Sequence, residues 1–214
     1  MTEGNAGTTN ATLTIKLSSA STRPVAVSYY TADGDARQGV DYQTAAGRVV
    51  FAAGVTSKTV VVPVIGDALD EADETFAFLL ADPLGAGVSR GRASVKILDN
   101  DPLPALSIND VSLTEGNTGT VNAVFTVTLS KASGRTVTVK YATADGTAVA
   151  ASDYTAKPPT VLTFLPGQTT KTVAVQVLRE LVKEPDETFF VNLSEPVNAT
   201  TTDAQGVGTI LNDD

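Results

Sequence analysis

The sequence repeats itself. TEGNAGTTNA at residues 2–11 returns as TEGNTGTVNA at 114–123, an offset of 112. YTADGDA at 30–36 returns as ATADGTA at 142–148, and VDY at 40–42 as SDY at 152–154. One residue inserted near Lys157–Pro159 moves the offset to 113, after which DETF at 73–76 meets DETF at 186–189. ILDND at 97–101 meets ILNDD at 210–214. A period of about a hundred residues is a domain and not a small solenoid repeat. The 214 residues therefore divide into two copies of one module, 1–101 and 102–214, joined at DNDPLPA (99–105).

Within each copy the apolar period is two. Leu13, Ile15 and Leu17 alternate with polar residues, as do Val25, Val27 and Tyr29, then Val60, Val62 and Val64, then Phe76, Phe78 and Leu80. The second copy repeats them as Phe125, Val127, Leu129; Val137, Val139, Tyr141; Val173, Val175, Val177; and Phe189, Val191, Leu193. Short alternating runs rich in Val and Thr, punctuated by Gly, Pro, Asn and Asp, predict antiparallel strands with one buried face. No segment has a helical period. The expected fold is all-β, two tandem immunoglobulin-like antiparallel β-sandwiches. Residues 105–114 precede the EGN turn of copy two, whereas only Met1 and Thr2 precede it in copy one. The first strand of copy one is therefore expected to be missing, with the chain a piece of a longer array.

Composition then closes off several chemistries. The chain has no Cys and no His, which removes disulfides, Cys/His zinc sites and thiol or imidazole catalysis. A net charge of −9 repels phosphate backbones, so nucleic acid is not an expected partner. No run approaches the ~18 apolar residues of a membrane helix, and no secretion signal follows Met1. The chain reads as soluble, without direct membrane insertion, and with any targeting signal elsewhere.

The acids hold their places between the copies while the bases drift. Each copy holds twelve acids, and nine of the first twelve meet an acid in the second: Glu3/Glu115, Asp33/Asp145, Asp41/Asp153, Asp67/Glu180, Glu71/Glu184, Asp73/Asp186, Glu74/Glu187, Asp82/Glu195 and Asp101/Asp214. Of eight bases in copy one, only Arg23/Arg135 and Lys58/Lys171 keep their charge. Ordinary surface charge behaves like the bases. Many of the retained acids sit between strands, in loops that an up-and-down count puts at one end of a sandwich. Carboxylates gathered there repel unless a cation neutralises them. A hard cation with oxygen ligands suits this set, Ca²⁺ better than Mg²⁺, which keeps its water.

The ordered set xEGN–TADGxA–xDY–xxxDETF–ILDND resembles the Calx-beta domain of sodium/calcium exchangers, an integrin β subunit and extracellular adhesion proteins. The resemblance covers almost the whole chain twice. It implies a seven-stranded sandwich with a Ca²⁺ cluster at one end. The implied ligands are Glu3, Asp33, Asp67, Glu71, Asp99 and Asp101 in copy one, and Glu115, Asp145, Glu180, Glu184, Asp213 and Asp214 in copy two. The family's strongest binders carry an Asp just before Asp67, where this chain has Gly66 and, in copy two, Arg179. Asn212 replaces the match to Asp99, and Asn100 interrupts the first terminal run. Copy one is accordingly expected to bind more tightly, with the Arg179 guanidinium able to stand in for an ion.

Each motif has a plainer reading beside this one. Asp33-Gly34 and Asp145-Gly146 are also turn dipeptides; Asp41 and Asp153 suit loop caps; Asp73-Glu74 and Asp186-Glu187 are open between solvated, supporting and ligating roles. Asp82 and Glu195, each before Pro, suit turns, and the Tyr29/Tyr141 and Phe76/Phe189 pairs suit the core. An enzyme is not expected. A glycosidase would need two carboxylates at one site, and against it stand the duplicated site, the absence of Trp and the lack of a nucleophile–base pair. A calcium-independent spacer would not need its acids in fixed places. The sequence thus points to a calcium-binding structural or adhesion repeat, extracellular or at the cell surface. Neighbouring repeats of the same chain and cell-surface proteins are its expected partners. The alternative is a Ca²⁺-sensing regulatory module of a membrane protein or transporter. Asp99 and Asp101 run directly into Pro102 and Pro104, so an ion held there would stiffen the linker as well as the domain end.

Overall fold

The computed structural model describes residues 1–214, folded as two compact units, Met1–Asp101 and Pro102–Asp214. Both are all-β. The first unit holds β1 (Thr8–Lys16), β2 (Val25–Ala32), β3 (Ala46–Phe51), β4 (Ser57–Ile65), β5 (Glu74–Leu84) and β6 (Arg92–Ile97). β1 pairs with β4 alone, and a second sheet runs β3-β2-β5-β6, all antiparallel. Inward residues of both sheets, among them Val27, Phe51, Val60, Val62, Val64, Phe76, Phe78 and Ile97, fill one core. They include the alternating residues of the sequence, because a period of two puts each on the same face of its strand.

The second unit holds β7 (Ala105–Ile108), β8 (Val111–Thr114), β9 (Thr120–Leu129), β10 (Val137–Asp145), β11 (Thr160–Phe164), β12 (Thr170–Leu178), β13 (Glu187–Val197), β14 (Thr200–Thr201) and β15 (Gln205–Leu211). Its sheets run β12-β9-β7-β14 and β11-β10-β13-β15-β8. Two edge pairings here are parallel, β14 with β7 and β15 with β8. The first unit keeps one remnant of the latter, a parallel bridge between Thr2 and Leu98, and has no strand matching β7.

A tyrosine plugs each sandwich beside the acidic loops. Tyr42 stacks on Phe76 with centroids 4.2 Å apart, and Tyr154 on Phe189 at 4.7 Å. Burying such a ring contributes about 1.5–3 kcal/mol, and the stacked pair about 0.5–1.5 kcal/mol more. Tyr29 stacks on Phe78 at 5.5 Å, as its core parity predicts. Asp82 and Glu195 have positive φ (45° and 50°) where β5 and β13 slip register against β2 and β10. They are bulge residues, followed by Pro83 and Pro196, and a bulge bends the strand there.

Candidate metal centre

The EGN loop of the first unit is tied to the segment after β6. Leu98 N–H donates to the Met1 carbonyl (2.7 Å) and Glu3 N–H to the Leu98 carbonyl (3.3 Å). Gly4, at φ +90°, turns its N–H onto Asn100 Oδ1 (2.9 Å), and Asn5 Nδ2 donates to Asp101 Oδ1 (2.7 Å). A side chain other than glycine at residue 4 would be strained in that conformation. Gly66 lies beneath this loop: a Cβ there would collide with the Gly4 carbonyl oxygen. An aspartate at 66 would require the EGN loop to move.

This clamp gathers three carboxylates. Glu3, Asp99 and Asp101 each bring one oxygen within 4.8 Å of the others, with Glu3 and Asp101 buried. Burial pushes the Glu3 carboxyl up to about 7, helped by the charges of Asp67, Asp99, Glu71 and Asp101. Glu71 is raised by burial and then by Asp41, Asp67 and Asp99, and Asp99 is raised chiefly by burial. Five of the six expected ligands of this unit thus belong to one electrostatic cluster. Asp99 Oδ1 and Asp101 Oδ2 are buried with no hydrogen-bond partner. Buried polar atoms are normally satisfied, and two orphaned carboxylate oxygens in a group of like charges fit a hard cation as the missing partner.

Asp33 is placed differently. It is absent from the close carboxylate groups. Its Oδ1 accepts from the Tyr42 hydroxyl (2.5 Å) and the Gln38 amide (2.9 Å). These bonds hold the Asp33 carboxyl below the usual carboxylate range, while burial and Asp33 push the Tyr42 phenol up to about 12. Asp145 repeats this arrangement with Tyr154 (2.5 Å) and the Ala150 amide (2.9 Å). Gly34 follows because the Thr75 carbonyl leaves no room for a Cβ. The Asp-Gly pair therefore serves a loop that satisfies a buried tyrosine. Asp41 and Asp153 cap loops, accepting from Arg37 N and Val149 N (2.6 Å each). Asp67 also caps a turn, through Leu69 N (2.8 Å), and Asp73 pairs with Lys96 (2.7 Å).

The second unit varies the theme. Gly116 N–H donates to Asp213 Oδ1 (2.9 Å) and Asn117 Nδ2 to Asp214 Oδ1 (2.5 Å), so that Glu115, Asp213 and Asp214 form the matching cluster. Here Asp213 and Asp214 are exposed, and Asn212 Oδ1 is the buried, unpartnered oxygen where Asp99 stands in the first unit. Arg179 lies against Gly116, its Nη1 donating to the Thr118 carbonyl (3.3 Å) and its Nε buried without a partner. Burial raises the Glu115 carboxyl, then Glu180, Asp214, Asp213 and Glu184; Glu180 is raised by burial first and then by Glu184 and Asp153.

A further group comes from the DETF motif. Asp153, Glu184 and Glu187 bring oxygens within 4.8 Å of one another. Burial and Asp153 raise Glu187, and burial and Asp41 raise its counterpart Glu74. The sequence reading left these glutamates open. Parity could have placed them, since Glu74 shares the inward face of β5 with Phe76 and Phe78.

Fold and site together define an immunoglobulin-like sandwich with carboxylates clustered among its end loops, present twice. The family model of the Calx-beta domain matches residues 2–101 and 106–214. The chain belongs to the Calx-beta domain family. It is 34% identical over 188 residues to sodium/calcium exchanger 2 of Rattus norvegicus, covering 79% of this chain and 20% of that protein. It is 31% identical over 192 residues to sodium/calcium exchanger 3 of the same organism, covering 79% and 21%. Against sodium/calcium exchanger 1 of Canis lupus familiaris the identity is 28% over 194 residues, covering 82% and 20%. The chain thus spans about a fifth of the exchangers it matches. Among solved structures, CBD12 from CALX1.2 aligns at 25% identity and TM-score 0.44, over 91% of this chain and 76% of that one.

Proposed function

We propose that this chain is a calcium-binding regulatory module of a membrane exchanger or transporter. The carrying observation is the pair of buried, unpartnered oxygens, Asp99 Oδ1 and Asp101 Oδ2, in a cluster with Glu3. Glu3, Asp99 and Asp101 form the nucleus of the first site, with Asp67 and Glu71 in its field and Glu74 near Asp41. In the second unit Glu115, Asp213 and Asp214, together with Glu180 and Glu184, offer a weaker site. Asp33 and Asp145 hold the tyrosine loops. Bound Ca²⁺ would supply the positive charge that these carboxylates lack, and it would fix the start of the 102–105 linker.

The adhesion reading of the sequence gives way to the regulatory one, because the named relatives are sodium/calcium exchangers. Extracellular placement loses its support with it. The module's role is read as non-catalytic. Thermal melting of metal-stripped protein tests the binding. At free Ca²⁺ about a hundredfold over Kd, stability should rise by about 2.7 kcal/mol, and Mg²⁺ should give far less. Melting curves unaffected by Ca²⁺ would remove the proposal. The regulatory part is tested in the full protein that carries this chain. There Asp99→Asn/Asp101→Asn should shift the calcium dependence of ion flux.

A further inference from the structure

We propose that the outer face of the first unit's four-stranded sheet, β3-β2-β5-β6, is a docking surface for an extended acidic segment of a partner protein. The internal repeat supplies the comparison. In the second unit the same face is closed on itself: Gln205 Nε2 donates to Asn192 Oδ1 (2.8 Å), and Lys140 pairs with Glu195 (2.7 Å). The first unit has Arg92, Leu79, Ser28 and Asp82 at those four places, so neither pair is kept.

Strand register fixes what lies on this face. Tyr30 of β2 stands opposite Ala46 of β3 on one side and Leu79 of β5 on the other, and Leu79 stands opposite Arg92 of β6. Two residues along β2, Ser28 is opposite Arg48; two further, Ala26 lies between Val50 and Leu84. Residues directly opposite one another share a face of the sheet, and the sequence neighbours Tyr29, Phe78 and Leu80 turn to the core. Tyr30, Val50 and Leu84 are 42%, 52% and 62% exposed. Arg48 and Arg92 are exposed and have no ion-pair partner. Tyr30, Leu79 and both arginines are the first unit's own, since the second has Ala142, Asn192, Val161 and Gln205 in their places. An exposed aromatic ring and a leucine between unpaired arginines is the composition of a binding centre rather than of a solvated sheet face.

The chemistry of the occupant follows from charge and spacing. Two guanidinium groups suit two carboxylates, with a large apolar side chain between them over Tyr30 and Leu79. Arg48 and Arg92 stand three strand spacings apart with a two-residue offset, about 16 Å between Cα atoms. An extended segment shows every second side chain to one face, so the pattern acid–x–apolar–x–acid spans about 13 Å, and the arginine side chains reach across the rest. A second copy packed face to face would set arginines against arginines. An anionic bilayer would have to meet the whole molecule, of net charge −9, whereas a narrow segment meets this face alone.

The probe is a synthetic heptapeptide with Glu at its second and sixth residues, Phe at its fourth and Ser or Gly elsewhere, titrated into the whole 214-residue protein and followed by amide chemical shifts. Saturable binding with a Kd of about 1 mM or tighter is expected, with shifts centred on residues 26–30, 46–50, 77–81 and 92 and none in the second unit. The same peptide with Lys for both Glu should not bind. Tyr30→Ala/Leu79→Asn/Arg92→Gln gives the first unit the residues that the second unit's sheet already accommodates. This variant should bind the peptide at least about tenfold more weakly, a loss of about 1.4 kcal/mol. Its fold and its Ca²⁺ binding should be unchanged, which separates this face from the metal centre. No saturation at about ten times that concentration, shifts elsewhere, or equal affinity for the Lys peptide would overturn the proposal. So would phosphatidylserine vesicles, or a concentration-dependent dimer by light scattering, that cover the same residues and exclude the peptide, since the face would then belong to lipid or to a second copy.

Discussion

Asn5 Nδ2 donates to Asp101 Oδ1 at 2.7 Å, joining residues 96 apart and leaving Asp101 Oδ2 buried without a partner. One oxygen is thus held by the protein, and the other is the one that would take the cation in the proposed function. Asn117 and Asp214 repeat the bond in the second unit. A hydrogen bond to a charged group contributes about 1.5–3 kcal/mol, part of it here as positioning. Asn5→Ala should therefore weaken Ca²⁺ binding by roughly tenfold, about 1.4 kcal/mol, with the far-ultraviolet spectrum unchanged. Unchanged affinity by calorimetry would show that the clamp does not position Asp101.

Metal-free protein should show a reversed pH dependence. Burial and four neighbouring acids raise Glu3 from 4.5 to about 7, so the folded state binds this proton more tightly than the unfolded chain. Stability is then greatest near pH 4.5 and falls as pH rises towards about 7. Ca²⁺ holds the carboxylates ionised and should remove the slope. Melting curves at intervals across that window, in chelator and in Ca²⁺, read it directly. A metal-free midpoint that rises between pH 4.5 and 7 would contradict the crowding.

The weaker second site should be repairable. Arg179 fills the space against Gly116, and Asn212 offers an amide oxygen where Asp99 offers a carboxylate. Arg179→Gly with Asn212→Asp gives the second unit the first unit's residues at both positions. The double variant should gain Ca²⁺ affinity there by about tenfold or more, since charge count tunes such sites. Titration of a protein also carrying Asp99→Asn/Asp101→Asn isolates the gain.

Tyr42→Phe separates structure from ligation. The variant leaves Asp33 with the Gln38 amide alone. It should cost about 1 kcal/mol, lowering the first unit's melting midpoint by about 4–8 °C. Ca²⁺ affinity should stay within about twofold. A large loss of affinity would return Asp33 to the metal site.

Much of this was legible in the sequence, for identifiable reasons. The period-two runs give β1, β2, β4 and β5 and their repeats, because pleat parity alone decides which residues enter the core. The fixed places of Glu3, Asp67, Glu71 and Asp101 mark one cluster, which Asp99 joins in the first copy alone, since shared charge in loops has few other causes. The motif sets Asp33 among the ligands, whereas in the fold its Oδ1 accepts from the hydroxyl of Tyr42, nine residues on, and only the fold shows that ring buried. Gly66 read as a lost ligand; its cause, the Gly4 carbonyl pressed onto it, lies 62 residues away in sequence. The parallel edge pairings of β8 and β14 carry no local signal at all, being set by what remains unpaired once the sheets form.

The linker offers a local readout. Asp101 ends the first cluster and Pro102 follows it directly. With Ca²⁺ bound, the Leu103 amide should lose fast motion in backbone relaxation, its order parameter rising towards the rigid range of about 0.85. An order parameter indifferent to Ca²⁺ would assign the linker's stiffness to Pro102 and Pro104 alone.

Calcium binding through Glu3, Asp99 and Asp101 is tested most directly by calorimetric titration of Ca²⁺ into metal-stripped protein, wild type beside Asp99→Asn/Asp101→Asn. The wild type should give a tighter and a weaker phase, and the double variant should lose the tighter phase only, with its fold intact. No heat from the wild type, or an unaltered tighter phase in the variant, would contradict it.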